Sequence, residues 1–449
     1  MTSDSIDLLV LGGGIAGMAA ATYAAQQGAS VVLVEKAPAV GGSAQWAGFL
    51  WTAPTVEVMR EVNPDGDPAL GARVVDGYEP ALEWVTSLGV DAKPYVTVLG
   101  YGRGRQTDIA GLIAKCERLL RQGERSEVLL ETTTERLLTV DGRVVGAELV
   151  TGDGQRRTVH ATNTVLATGG FGGDPDLREE RIGPLARDLP LRANEHSTGD
   201  GLRLGEAVGA AYGKENAGFY GHLVAAYAVR AAKNPHEVLE LSFFHSEHSV
   251  LLNLEGKRFV DETLGDHIST LATLDQPEAR ALMIADQRVH DEYMMVPYVE
   301  GVEPTDRFKQ AYELGGRCAI AEDLEELEYL PEEWGYPGEA ARAAVEEFNR
   351  QCESGDPNPP RKLDAAPLVT PPYYVTEVIP AVTMTFSGLL IDDRARVLDT
   401  SGKPIPGLLA AGGDAGGTYH RAYAGGAATA LVFGLQAAST ALEGAAVAH

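Results

Sequence analysis

A short apolar run at 6–11 leads straight into Gly12-Gly13-Gly14-Ile15-Ala16-Gly17, which fits GxGxxG. The run has no polar alternation, so it reads as a parallel strand buried on both faces. An Ala-rich stretch to Gln27 reads as a helix, Gly28 ends it, and 30–34 reads as a second buried strand. This is a βαβ start. Gly12 permits the tight turn out of the strand, Gly14 lets a pyrophosphate approach the backbone, and Gly17 lets the helix pack on the sheet. Ile15 and Ala16 sit at the helix N-terminus, where free N–H groups and the positive dipole end face the phosphates. Glu35 ends the second strand, 18 residues after Gly17. A carboxylate there accepts from ribose hydroxyls and repels a 2′-phosphate, which disfavours NADP. Taken alone, this grip suits NAD and FAD equally.

The pattern changes over 128–167. Apolar residues alternate around Asp141-Gly142 and Gly152-Asp153-Gly154, which read as hairpin turns. An antiparallel meander is expected there, returning to the parallel sheet at 164–168. The block 241–365 differs again, with the acidic run 322–328, an exposed helix over 338–349 and a Pro-rich linker at 356–360. After the turn 402–406, another apolar strand is expected at 407–411, then a long small-residue helix. The two ends, 1–240 and 366–449, therefore read as one domain with 241–365 inserted as a second.

The chain of 449 residues carries a net charge of −27. Like charges repel, so nucleic acid and anionic membrane are poor partners. Cys116, Cys318 and Cys352 are scattered, with no CxxC or metal-ligand spacing. No disulfide framework or metal site is expected, and a reducing cytoplasm suits such a chain. Asp4 and Asp7 do not make the basic region of a secretory signal. The uncharged stretch 422–442 is long enough to span a bilayer, but its Ala, Gly, Thr and Ser content reads as a buried helix, so no integral membrane segment is expected.

Glu35-Lys36 is followed by a second Gly-rich turn, Gly41-Gly42-Ser43, and then by Gly48. This pattern resembles the fumarate reductase and succinate dehydrogenase flavoprotein superfamily. Ala167-Thr168-Gly169-Gly170, continuing to Gly173, resembles that family's third FAD segment, as does Thr198-Gly-Asp200-Gly. Gly256-Lys-Arg-Phe-Val-Asp-Glu262 resembles the start of its capping domain. The segment 405–414, ending in Gly413-Asp414, resembles the one whose acid binds the ribityl chain. The resemblance implies an α/β fold: a Rossmann-like FAD-binding domain with a parallel sheet and antiparallel meander, plus an inserted α+β capping domain. In such proteins the last helix, here starting near Gly426-Ala427, points its N-terminus at the flavin, where it stabilises reduced-flavin charge. Residues 44–47 offer no His for a covalent link, so noncovalent FAD is expected.

The family transfers hydride between flavin and a carbon beside an activating group. Fumarate reductases carry an arginine shortly after GKRFxxE, a His before a later Gly pair and an arginine just before the final GG. Here 263–267, 382–388 and Tyr423 stand at those places, without the arginines or the His. A bidentate arginine is the natural clamp for a carboxylate, so a dicarboxylate is disfavoured. Tyr423-Ala-Gly-Gly-Ala427 resembles the 3-ketosteroid dehydrogenase motif instead, in which a Tyr hydroxyl and a later backbone N–H hold the substrate carbonyl. The base is left open between Asp266 and His267. Tyr101 is a second candidate tyrosine, ahead of Tyr95, and His222 matches a substrate-binding His. His245, Glu247 and His248 form no metal pattern, and Arg421 beside His420 is a candidate for an acidic substrate group. A ketone dehydrogenase is expected, with an enone or enoate reductase as the alternative, using an unidentified electron acceptor.

Overall fold

The computed structural model describes residues 5–296 and 305–446. The chain divides into two compact units. The first comprises Met1–Ile182, Asn194–Phe219 and Met384–His449; the second comprises Gly183–Ala193 and Tyr220–Thr383. The second unit is thus wider than the 241–365 block. Texture marked only its acidic, Pro-rich middle, because its flanking strands are as apolar as those of the first unit.

The first unit is built on β1 (Ile6–Leu11), α1 (Ile15–Gln26), β2 (Val31–Val34), β3 (Ser126–Leu129), β4 (Thr133–Val140), β5 (Arg143–Val150), β6 (Arg156–Leu166), β7 (Arg396–Leu398), β8 (Pro404–Ala410) and α2 (Gly426–Ala446). The sheet runs β7-β8-β6-β1-β2-β3, with β5 and β4 extending it from β6. All neighbours from β8 to β3 are parallel. Leu8, Leu9, Val10 and Leu11 are all essentially unexposed, as an apolar run without alternation requires.

β6 joins two architectures. Its first half, 156–160, pairs antiparallel with β5, and its second half, 161–166, pairs parallel with β1. The meander therefore begins at Thr133, not at 128. Residues 126–129 form a parallel strand beside β2, because their apolar side chains extend the main sheet.

α1 and α2 pack through small residues. A Cβ on Gly434 would lie 2.3 Å from the Ala16 carbonyl oxygen. That closeness is why α2 reads as Ala and Gly and not as Leu. Among the described residues, no helix is long and apolar enough to cross a membrane.

The second unit holds a sheet in the order Phe219–Ala225, Tyr373–Thr385, Ala281–Asp286, Val250–Leu252, with Cys318–Ala321 also on the 373–385 strand. Two apolar clusters fill this unit, one around Phe243 and Met283, the other around Phe348 and Leu282. The helix expected over 338–349 runs Gly338–Ser354 and is amphipathic: Ala341, Val345 and Phe348 are buried at helical spacing. It is a packed helix, not an exposed one.

Candidate functional site

The cradle of the first unit follows from backbone constraints. Gly12 has φ +109°, and a Cβ there would lie 2.2 Å from the Ala167 oxygen. A Cβ on Gly17 would lie 1.9 Å from the Gly12 oxygen. Gly14 differs: its Cβ would meet nothing within 4 Å. That open space lies at the N-cap of α1, where no side chain caps the helix. A pyrophosphate fits there, because the first-turn N–H groups have no intrahelical acceptor.

Glu35 is 9% exposed and fixed at the end of β2. Its Oε2 accepts from Gly13 N (2.7 Å) and its Oε1 from Ala37 N (2.8 Å). Lys36 Nζ reaches Asp200 Oδ2 and Thr198 Oγ1, each at 2.8 Å. Gly41 N donates to the Gly13 carbonyl, tying the second glycine turn to the first. Gly42–Trp46 is a single 3-10 turn, in which Ser43 Oγ accepts from Asn194 N at 2.9 Å.

Asp414 ties the later segments together. It accepts from Thr168 N (2.5 Å), Thr168 Oγ1 (3.0 Å) and Gly170 N (3.0 Å). Burial raises its pKa to about 6 against those hydrogen bonds. Gly413 lies so close to Gly169 that a Cβ would come within 2.6 Å of its carbonyl. Asp414 thus holds the 167–170 loop, a role the resemblance did not suggest.

A small cavity opens where α2 begins, lined by Thr385, Phe386, Thr418, Tyr419 and Gly426 among others. The hydroxyls of Thr385 and Thr418 are buried without a hydrogen-bond partner. Buried orphan hydroxyls beside the aromatic rings of Phe386 and Tyr419 suit a ligand with a polar edge. Tyr423 is 7% exposed beside this cavity wall. Its ring meets Trp51 edge-on at 5.4 Å and lies 5.6 Å from the Tyr419 ring. Tyr101 donates its hydroxyl to the Tyr423 carbonyl, so it positions the Tyr423 backbone. Gly425, with φ +90°, passes under Trp51, whose carbonyl leaves no room for a Cβ. Ala427 is half-buried in the first turn of α2. Tyr95 is exposed and bonds Glu79 on the surface. The main chain of Arg421 bonds Ala217.

The second unit brings together residues far apart in sequence. His222 lies on the strand Phe219–Ala225, and Asp266 opens the helix Asp266–Leu274. His222 Nδ1 and Asp266 Oδ2 are hydrogen-bonded, with both side chains buried. Burial raises Asp266 to about 7 and pushes His222 well below its ordinary value. The pair is therefore neutral below about pH 7, with the proton on the carboxyl. His267 is buried beside it, lowered to about 4 by burial. Glu247 accepts the Asp266 backbone N–H and is raised to about 7, first by burial and then by Asp266. His245 and His248 diverge: the first packs on Phe243, the second stacks on Tyr293 and bonds Asp364. Among the described residues, no group of three potential ligands is arranged for a metal.

Residues 7–430 match the FAD binding domain family model, and the chain belongs to that family. It is an FAD-dependent oxidoreductase. The chain is similar to urocanate reductase from Eggerthella lenta, 28% identical over 443 residues, covering 93% of this chain and 70% of the relative. It is likewise 28% identical to the cytochrome-type fumarate reductase of Shewanella frigidimarina over 450 residues, covering 93% and 73%. The crystal structure of 3-ketosteroid Δ1-dehydrogenase from Sterolibacterium denitrificans has the same fold, with a TM-score of 0.77, 19% identity, and coverage of 98% and 100%.

Sequence reading missed several site residues. Trp51 was findable, three residues beyond Gly48 in the second glycine segment. Thr385 and Thr418 carried no signal, since a lone threonine reads as any strand or loop residue.

Proposed function

We propose that this oxidoreductase acts on carbon–carbon bonds and desaturates a cyclic ketone between its α and β carbons. The observation that carries the reading is Tyr423. It stands in an aromatic wall at the start of α2, where a carboxylate-handling enzyme needs an arginine. A phenol and the first-turn N–H of Ala427 are neutral donors suited to a ketone oxygen. Loss of an α-proton builds enolate charge on that oxygen, and fixed donors stabilise it.

Bound FAD supplies the hydride acceptor. Asp266 takes the α-proton, and its hydrogen bond to neutral His222 holds the carboxylate in place. A carboxyl raised to about 7 is a stronger base than an ordinary carboxylate and is still half-ionised at neutral pH. Tyr101 is a positioning residue through the Tyr423 carbonyl.

The reverse reaction, reduction of an enone or enoate, has one specific support: the similarity to urocanate and fumarate reductases. The same Asp266 would then act as the acid. Anaerobic mixing of the oxidised holoenzyme with cyclohexanone derivatives separates the two. Bleaching of the flavin supports desaturation. No bleaching, together with reoxidation of the dithionite-reduced enzyme by a cyclohexenone, supports reduction and overturns the first reading.

A further inference from the structure

The segment Asn63-Pro64-Asp65-Gly66-Asp67 lies against residues 417–420, and both belong to the first unit. Asn63 ends the helix Val56–Val62, and the side chain of Asp67 caps the helix Pro68–Ser87. The segment is thus pinned between two helices. Asn63 is only 4% exposed. Its Nδ2 donates to the Thr418 carbonyl (2.7 Å), and its Oδ1 accepts from His420 N (3.1 Å). One amide therefore pairs with the loop backbone much as a neighbouring strand would, because it offers a donor and an acceptor side by side. Asp67 N adds a bond to the Gly417 carbonyl at 2.9 Å, and Lys214 bonds the Asp65 carbonyl. Gly66 makes room for the amide: a Cβ there would lie 2.0 Å from Asn63 Nδ2 and 2.7 Å from the Thr418 carbonyl oxygen.

This pairing decides where the Thr418 hydroxyl goes. A threonine hydroxyl ordinarily bonds a backbone group nearby. Here the carbonyls of Gly417 and of Thr418 itself are both engaged by the 63–67 segment. Thr418 lines the cavity at the start of α2, and its Oγ1 is buried with no hydrogen-bond partner among the described residues. Tyr419 lines the same cavity, but its hydroxyl is engaged: it donates to the Ala424 carbonyl at 2.7 Å. A buried hydroxyl left unpaired costs free energy until a ligand meets it.

We propose that Asn63 is a positioning residue for the cofactor: by holding the backbone of 418–420, it presents the Thr418 hydroxyl to the flavin. The inference rests on the flavin occupying the cavity at the start of α2. Asn63 acts through Thr418, so its effect on FAD should vanish once that hydroxyl is gone.

A double-mutant cycle on FAD affinity tests this, with the apoprotein titrated with FAD by calorimetry. Thr418→Val is expected to weaken FAD by about 3- to 10-fold, the worth of one neutral hydrogen bond. Asn63→Leu, which keeps the size of the side chain and removes the amide, should weaken it by a similar factor. The double variant should lose less than about twofold beyond Thr418→Val, where independent sites would multiply their effects. Gly66→Ala displaces the amide without altering it and should show the same non-additive loss, so the test survives if Asn63→Leu does not fold. A cooperative melting transition of each apoprotein is the check on folding. If Asn63→Leu and Gly66→Ala lower the melting temperature and leave FAD affinity unchanged, or if their losses add in full to that of Thr418→Val, Asn63 only braces the loop and the inference is overturned while the flavin cavity stands. If Thr418→Val itself leaves FAD affinity unchanged, the cavity reading falls and the inference with it.

Discussion

The two units manage polar groups in opposite ways. In the first, backbone amides and short side chains bind each other at 2.5–3.0 Å around Glu35 and Asp414, and rigid glycines set the geometry. In the second, Asp266, His222, His267 and Glu247 are buried together, and burial displaces every one of their proton equilibria. The first arrangement suits holding a cofactor: its geometry is fixed before anything binds. The second suits moving a proton: Asp266 and Glu247 change charge near neutral pH. The contrast predicts that lesions in the glycine and carboxylate cradle of the first unit cost the cofactor, and lesions in the buried cluster of the second cost turnover with the cofactor retained.

The largest effect should come from Gly17→Val. Any Cβ there would lie 1.9 Å from the Gly12 carbonyl, so the turn and α1 cannot both persist. The purified protein is expected to be colourless and inactive. A yellow variant with full FAD content would break the account of the cradle.

Asp266→Asn should leave the protein yellow and lower desaturation by roughly 10²- to 10⁴-fold, the range for losing a general base. The wild-type pH profile sharpens the point. The folded pKa is raised above the ordinary carboxyl value, so the basic form grows in as pH rises through about 7. For desaturation, kcat/KM should climb over that range and level above it; for reduction, the same group gives a falling limb. By linkage, Asp266 contributes stability that is fully present below the ordinary carboxyl pKa and is lost as pH rises through about 7. A flat profile unaltered in Asp266→Asn would remove Asp266 from the reaction. Tyr423→Phe comes next, with an expected loss of roughly 10²- to 10³-fold and an unchanged FAD content. An undiminished rate would end the carbonyl-binding role of Tyr423.

These regions also differed in how far the sequence exposed them. The cradle was legible because its constraints are local: a glycine is demanded by φ or by a neighbour's carbonyl, and Glu35 by the end of a strand. Asp266 and His222 were legible as separate candidates, but not as a pair. They are 44 residues apart, and only the fold joins a strand residue to the first turn of a helix. Nor was the width of the second unit legible, since its outer strands share the apolar texture of the first.

The smallest effect is the most direct check on whether the cavity at the start of α2 takes the flavin. Thr385→Val keeps the shape of a buried side chain and removes its hydroxyl, which has no partner within the protein. In the apoprotein, losing an unsatisfied buried group should be neutral or slightly stabilising. In the holoenzyme, the same change should remove one neutral hydrogen bond and weaken FAD by about 3- to 10-fold, from a net worth of roughly 0.5–1.5 kcal/mol. Thr418→Val should behave alike. The informative result is the opposite sign of the two effects: a melting temperature that holds or rises without FAD, and an affinity for FAD that falls. If both hydroxyls can be removed with FAD affinity intact, the orphan atoms are ordinary packing defects, and the flavin's polar edge must be held by backbone groups such as those at the start of α2.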